Sequence, residues 1–200
     1  MNRTTDDLTA LMQTICAEES WAELNRAFSG VYGEPCDQYA NMPYSDFLIG
    51  YSIFNGAGHR HVVSYGLAQQ HRMDGKAYEL TIKLPLRSPF MWTFDVLSAA
   101  AQYMQEFCGD VLPQHFDYGH SLKENSGSEL AALLFLPDQT LREARLSTGQ
   151  AHFLQAVGIT RAEYQALAES SIGLPELIAR LRVKNPLRLT QIKRRTIFLE

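Results

Sequence analysis

Residues 59–84 read HRHVVSYGLAQQHRMDGKAYELTIKL. The stretch holds three of the six histidines and divides at Asp74-Gly75, a turn pair. From Ala77 to Leu84 the residues alternate. Tyr78, Leu80, Ile82 and Leu84 fall on one face, and Glu79, Thr81 and Lys83 on the other, the pattern of a half-buried strand. His61 to Leu67 reads as the strand before it. Asp46 to Asn55, rich in aromatic and β-branched residues, reads as a strand before that, with Asn55-Gly56-Ala57-Gly58 as the connecting turn. The three together predict an antiparallel meander.

Outward from this centre the pattern turns helical. Thr5-Asp6-Asp7 caps a first helix carrying Leu8, Leu11, Met12 and Ile15, which continues or restarts through Trp21, Leu24 and Phe28. Ser20 and Glu23 have capping-box spacing for a restart, and Gly30 is its expected stop. Phe94 to Phe107 predicts a helix capped by Thr93, packed through Leu97, Ala100, Ala101 and Met104, and stopped by Gly109. Phe116 to Leu122 and Gly149 to Ile159 read as strands, and Leu130 to Leu136 as a buried apolar run ended by Pro137. Thr160 to Glu163 is a capping box opening a helix, and Leu174 to Leu181 a second helix with Pro175 in its first turn. Leu187 to Phe198 is expected to close as a strand. The order of elements predicts an α+β domain over residues 1–200, with a mixed, mostly antiparallel sheet flanked by helices.

Charge and cysteine content narrow the class. The net charge of −4 names no partner, but seven of the eighteen basic residues lie beyond Ala179, with only Glu200 as an acid there. That basic tail reads as a solvated helix face and terminal strand; nucleic-acid binding is the weaker alternative. Cys16, Cys36 and Cys108 are widely spaced and form no CxxC pair, which suits a reducing compartment. No apolar run reaches the roughly 18 residues of a membrane span, and the first residues are acidic where a signal peptide is basic, so a cytoplasmic protein is expected.

Catalytic constellations are sparse. His59 and His61, two apart on a strand, share a face and form a usable metal pair if His115, Asp117 or His120 completes it; this is the basis of a metal-dependent hydrolase reading. There is no G-x-S-x-G elbow and no phosphate-binding glycine loop. Ser64 lies within a strand, and Cys108 sits at a helix C-terminus where the dipole disfavours a thiolate. The residues call for no catalytic group and no cofactor, and favour a binding protein over an enzyme.

Several segments together carry a family resemblance: Asp46 to Phe54, then HRHVVSYGL, then YELTIKL, then Pro89 to Tyr103, the strand Phe116-Asp117-Tyr118-Gly119-His120, HFLQAVGITRAEYQAL, and the terminal KRRTIF. In their order and spacing they resemble the Suppressor of fused family from about Trp21 onward. That resemblance implies a mixed, mostly antiparallel sheet flanked by helices. Eukaryotic members hold a transcription-factor peptide between two domains, and this chain resembles the first of those domains alone. Single-domain bacterial members look like immunity proteins that neutralise a toxin by binding it. The implied partner is therefore another protein, a toxin or a peptide segment. The sequence departs from the pattern where Arg60 replaces the Trp between the histidines, where His71 stands at an aromatic contact position, and in the short turn from Arg72 to Lys76. The expected contact residues lie there: Tyr65, His71 and Asp74, at a sheet edge with free backbone groups.

Overall fold

A computed structural model describes residues 18–44, 47–70, 72–147 and 149–198. The elements run α1 (Glu18–Tyr32), β1 (Asp37–Tyr44), β2 (Phe47–Gly56), β3 (His59–Tyr65), α2 (Leu67–Gln70), β4 (Arg72–Met73), β5 (Lys76–Pro85), α3 (Trp92–Phe107), β6 (His115–Asp117), β7 (Leu130–Pro137), β8 (Glu143–Leu146), β9 (Gly149–Thr160), α4 (Arg161–Ala168) and α5 (Leu174–Lys184). The expected helix from Thr5 to Ile15 lies outside the described residues.

One sheet in the order β1-β2-β3-β5-β9-β7-β6 organises the chain, with β4 paired to β5 and β8 to β9. The meander of β2, β3 and β5 is antiparallel as expected, with Phe54 opposite His61 and His61 opposite Lys83. The pairing of β5 with β9 is the parallel one. A parallel neighbour requires a long crossover, and the segment carrying α3 supplies it.

Helices cover both faces. On one, Tyr78, Leu80, Ile82 and Leu84 pack with Leu97, Ala100, Ala101 and Met104 of α3. On the other, α1 brings Leu24 and Phe28 onto Phe54, Val63, Tyr65 and Phe153. Beside them Leu177, Leu181 and Ile197 cover Ala132, Leu134, Val157 and Ile159. Each of these larger side chains contributes about 1.5–3 kcal/mol by leaving water. The expectation of a half-buried β5 is corrected here: Glu79, Thr81 and Lys83 are all buried. The alternation was read rightly, but β5 is the central strand of the principal order, so its polar face meets protein rather than water.

Other boundaries shift for local reasons. Gly30 lies within α1, which ends at Tyr32 where Gly33 adopts φ +77° and donates its N–H to the Ser29 carbonyl. Thr93 does not cap α3. Its hydroxyl donates to the Phe90 carbonyl at 2.6 Å from inside the first turn. The capping box at Thr160 and Glu163 is present as read. Of the expected strand from Phe116 to Leu122 only Phe116 and Asp117 are in a strand, β6, which begins one residue earlier at His115.

The expected closing strand is instead an irregular strap. The ladder of β5 with β9 stops at Thr81 and Gln155. Thr190 enters the gap, donating its N–H to the Lys83 carbonyl at 2.7 Å and accepting the Gly158 N–H at 2.9 Å. A Cβ on Gly158 would lie 2.6 Å from the Thr190 methyl, so the missing side chain is what admits the strap.

Candidate functional site

The polar row on β3 and β5 converges on one carboxylate. Asp138 follows β7 and is fully buried. Its Oδ2 accepts the Thr81 hydroxyl at 2.6 Å, and its Oδ1 accepts the backbone N–H groups of Thr140 at 2.7 Å and Leu141 at 3.2 Å. Lys83, equally buried, reaches Oδ1 at 3.3 Å and donates to the Thr140 hydroxyl at 2.9 Å. His61 Nε2 stands 3.1 Å from Oδ2, off the line of a well-directed hydrogen bond, so this contact is chiefly electrostatic. Its Nδ1 lies 2.7 Å from the Tyr32 hydroxyl. A carboxylate only accepts, so the imidazole proton belongs on Nε2, and Nδ1 accepts from Tyr32.

Phenol, imidazole and carboxylate in series have the composition of an activated nucleophile, but not its electrostatics. Burial pushes the Tyr32 phenol up to about 12. Burial also lowers His61, which stays neutral. Burial alone would raise Asp138, yet contact with His61, the Lys83 ammonium and the Thr81 hydroxyl hold it well below the usual carboxylate range. The row is a set of mutually paired groups, with His61 Nε2 held beside Asp138 by electrostatics alone, and it braces three elements against one another.

A second buried carboxylate behaves differently. Glu79 accepts the Ser64 hydroxyl at 2.5 Å and the N–H groups of Gly66 at 2.9 Å and Ala68 at 3.1 Å. It has no cation partner among these contacts, and burial raises its pKa to about 7. Between about pH 4.3 and its folded value, the folded chain holds a proton that the unfolded chain has lost. Stability therefore falls as pH rises through that window, by roughly 3–4 kcal/mol, and levels off above it. Urea midpoints from pH 5 to pH 8 should decline in the wild type and run nearly flat in Glu79→Gln. An equal slope in both removes Glu79 as the source.

The structure distributes the expected metal ligands widely. His59 and His61 do share a face, both approaching the Tyr32 hydroxyl. His115 and Asp117 sit on β6, four strands from β3 and about 19 Å away. Asp117 pairs with Arg161 at 2.7 Å, and His120 stacks edge-on against Tyr118. Among the described residues no group of three such side chains could hold a metal ion. No feature of the site supports the hydrolase reading.

Of the expected contact residues, Asp74 is exposed, Tyr65 is buried with its hydroxyl donating to Asn25 at 3.2 Å, and His71 lies outside the described residues. The Asp74 N–H donates to the Asp110 carbonyl at 2.5 Å, joining this turn to the loop after α3. Phe107 at the end of α3 and Val111 within that loop are 73% and 69% exposed, apolar surface that periodicity did not reveal. The basic tail is largely spent internally. Arg194 pairs with Glu163, Arg195 with Glu129, and Arg180 with Glu176. No helix of the described residues is long and apolar enough to cross a membrane.

A nine-strand mixed sheet faced by α3 on one side and by α1, α4 and α5 on the other, with its polar row closed off, defines an α+β scaffold. The family model of the Suppressor of fused protein matches residues 46–195, and the chain belongs to the Suppressor of fused family. It is similar in fold to a chain of the Sufu–Fu complex crystal structure, with 18% identity, a TM-score of 0.71, and coverage of 90% of this chain and 93% of that one. It is similar also to Drosophila Suppressor of Fused, with 19% identity and a TM-score of 0.70 over 90% of this chain. The chain spans about half the length of the Drosophila protein, 51%. No curated protein sequence matches it.

Proposed function

We propose that this chain is a non-catalytic protein-binding domain, one folding unit over residues 1–200, and that it serves as a cytoplasmic immunity-type protein neutralising a partner toxin by binding. The observation that carries the reading is membership in a family with a member solved as the Sufu–Fu complex. The local support is the surface around the Asp74 turn. There an exposed carboxylate lies beside the loop that follows α3, with exposed Phe107 at the helix end and exposed Val111 in the loop as apolar anchors within a charged rim. In this reading Asp74 and His71 meet the partner, and Tyr65 acts indirectly, by holding β3 against α1 through Asn25 and Phe28.

The test is co-expression with the product of the neighbouring open reading frame, with calorimetry on the purified pair. Relief of growth arrest and a saturable complex are expected, and Asp74→Asn, which removes the charge but suits the left-handed backbone at φ +52°, should weaken the complex about tenfold without changing the melting temperature. A complex without relief removes the immunity role and leaves the binding domain. Neither complex nor relief, with this or any candidate toxin, overturns the proposal.

A further inference from the structure

At the N-terminal end of α3 a cleft of about 430 Å³ opens between the helix and the loop that follows β6. Trp92, Tyr118 and His120 line it with aromatic surface, and Asp95 and Glu124 bring two carboxylates. Asp95 and Glu124 are both exposed. Neither enters the salt bridges found among the described residues. Lys123 supplies the lining's one Lys or Arg side chain; its long stem lets the ammonium move out to water.

The walls are held in place although the loop has little regular structure. The Trp92 indole N–H donates to the Pro89 carbonyl at 2.8 Å, which sets the ring's orientation. The Tyr118 N–H donates to Ala131 and the Leu122 N–H to Leu130, pinning the loop to β7. The Ser121 hydroxyl bonds the carbonyls of Lys123 and Ser128, and the Ser126 hydroxyl donates to Lys123 again at 2.6 Å. Leu122 is buried in the core beneath. A loop fixed by this many bonds loses little entropy when a ligand enters.

Aromatic faces beside unpaired carboxylates attract one chemical class. The ring quadrupole and the carboxylates both favour a cation, and a soft organic cation gives up its water more readily than a metal ion. We propose that this cleft receives an organic cation, an alkylammonium or guanidinium group. The proposal does not depend on the Asp74 surface, which lies near the other end of α3, about 24 Å along a 16-residue helix.

The experiment follows the Trp92 indole and His120 ring resonances of the full chain, assigned with Trp92→Phe and His120→Gln. The titrants are tetramethylammonium chloride, N-acetyl-arginine amide, a capped Gly-Gly-Arg-Gly-Gly peptide, sodium chloride, and neopentyl alcohol as a neutral isostere. Saturable shifts with the organic cations alone are expected, weakened about tenfold in Asp95→Asn/Glu124→Gln and unchanged in Glu143→Gln on β8. Tighter binding of the peptide than of tetramethylammonium marks a side chain of a polypeptide as the source, and the reverse order marks a free small cation. Shifts of equal size with the neutral isostere, or none with any cation while the double variant melts like the wild type, overturn the proposal.

Discussion

Replacing Asp138 by alanine should cost about 3–5 kcal/mol of folding stability, a large part of the margin of an ordinary domain. The loss comes mostly from what is left behind. Lys83 is buried beside Asp138, and without the carboxylate its ammonium keeps only the Thr140 hydroxyl. Thr81 and the N–H groups of Thr140 and Leu141 lose their acceptor as well. Asp138→Ala/Lys83→Met should recover much of the deficit, because the stranded charge is gone. The pH dependence has a definite sign. The folded pKa of Asp138 is depressed, so its contribution is complete above the unfolded carboxylate value of about 3.9 and is lost as pH falls through the folded one. Urea titrations at pH 7 and pH 3 should show the wild type losing more than the variant. A single-variant loss below about 1 kcal/mol would mean that water already reaches Lys83, and the bracing role would fail.

The meander, the packing stripe of α3 and the capping box at Thr160 were legible because each is a local pattern with a local cause. Period-two alternation marks β5, helical spacing marks α3, and a hydroxyl three residues before a glutamate marks the start of α4. β1 and β8 left no such mark. β1, DQYANMPY, is polar and carries Pro43, tolerable only because it is an edge strand, and β8 has four residues. The half-buried reading of β5 failed for a tertiary reason. Alternation shows that a strand has two faces, but not whether something covers the polar one. Here α1 and the strap cover it, and the polar side chains pair with each other.

The same limit governs the site. That His59 and His61 share a face follows from their spacing. That His61 meets Tyr32 and Asp138 does not, because those partners lie 29 residues before it and 77 after it in the chain. Asp138, in Pro137-Asp138-Gln139-Thr140, looks like an ordinary turn residue. Only the pairing of β7 with β9 carries it under β5. Phe107 and Val111 were hidden for the opposite reason. A lone aromatic at a helix end reads as core, and its exposure depends on what fails to cover it.

Glu163→Ala is expected to cost about as much as the loss of Asp138, roughly 3–5 kcal/mol, and to release one specific segment. The fully buried Glu163 carboxylate accepts both Arg194 Nη1 and Nη2 at 2.6 Å, the Ile197 N–H at 2.7 Å and the Thr160 N–H at 2.9 Å. One side chain thus closes the start of α4 and clamps the strap. Arg194 in turn donates to the Gly158 carbonyl at 3.0 Å, beside the place where Thr190 bridges β5 and β9. Losing the clamp should free the strap backbone for trypsin cleavage at Lys193, Arg194 and Arg195 well before the sheet melts. Arg194→Lys should behave similarly, since an ammonium cannot form the two-pronged contact. Resistance to trypsin equal to that of the wild type, with a loss under about 1 kcal/mol, would show that the apolar contacts of Ile197 hold the strap alone. The strap also supplies the Thr190 N–H that caps the Lys83 carbonyl, so the two buried carboxylates are coupled through one segment. Asp138→Ala and Glu163→Ala together should therefore cost less than the sum of their separate effects, because freeing the strap gives Lys83 the water that the first change denies it.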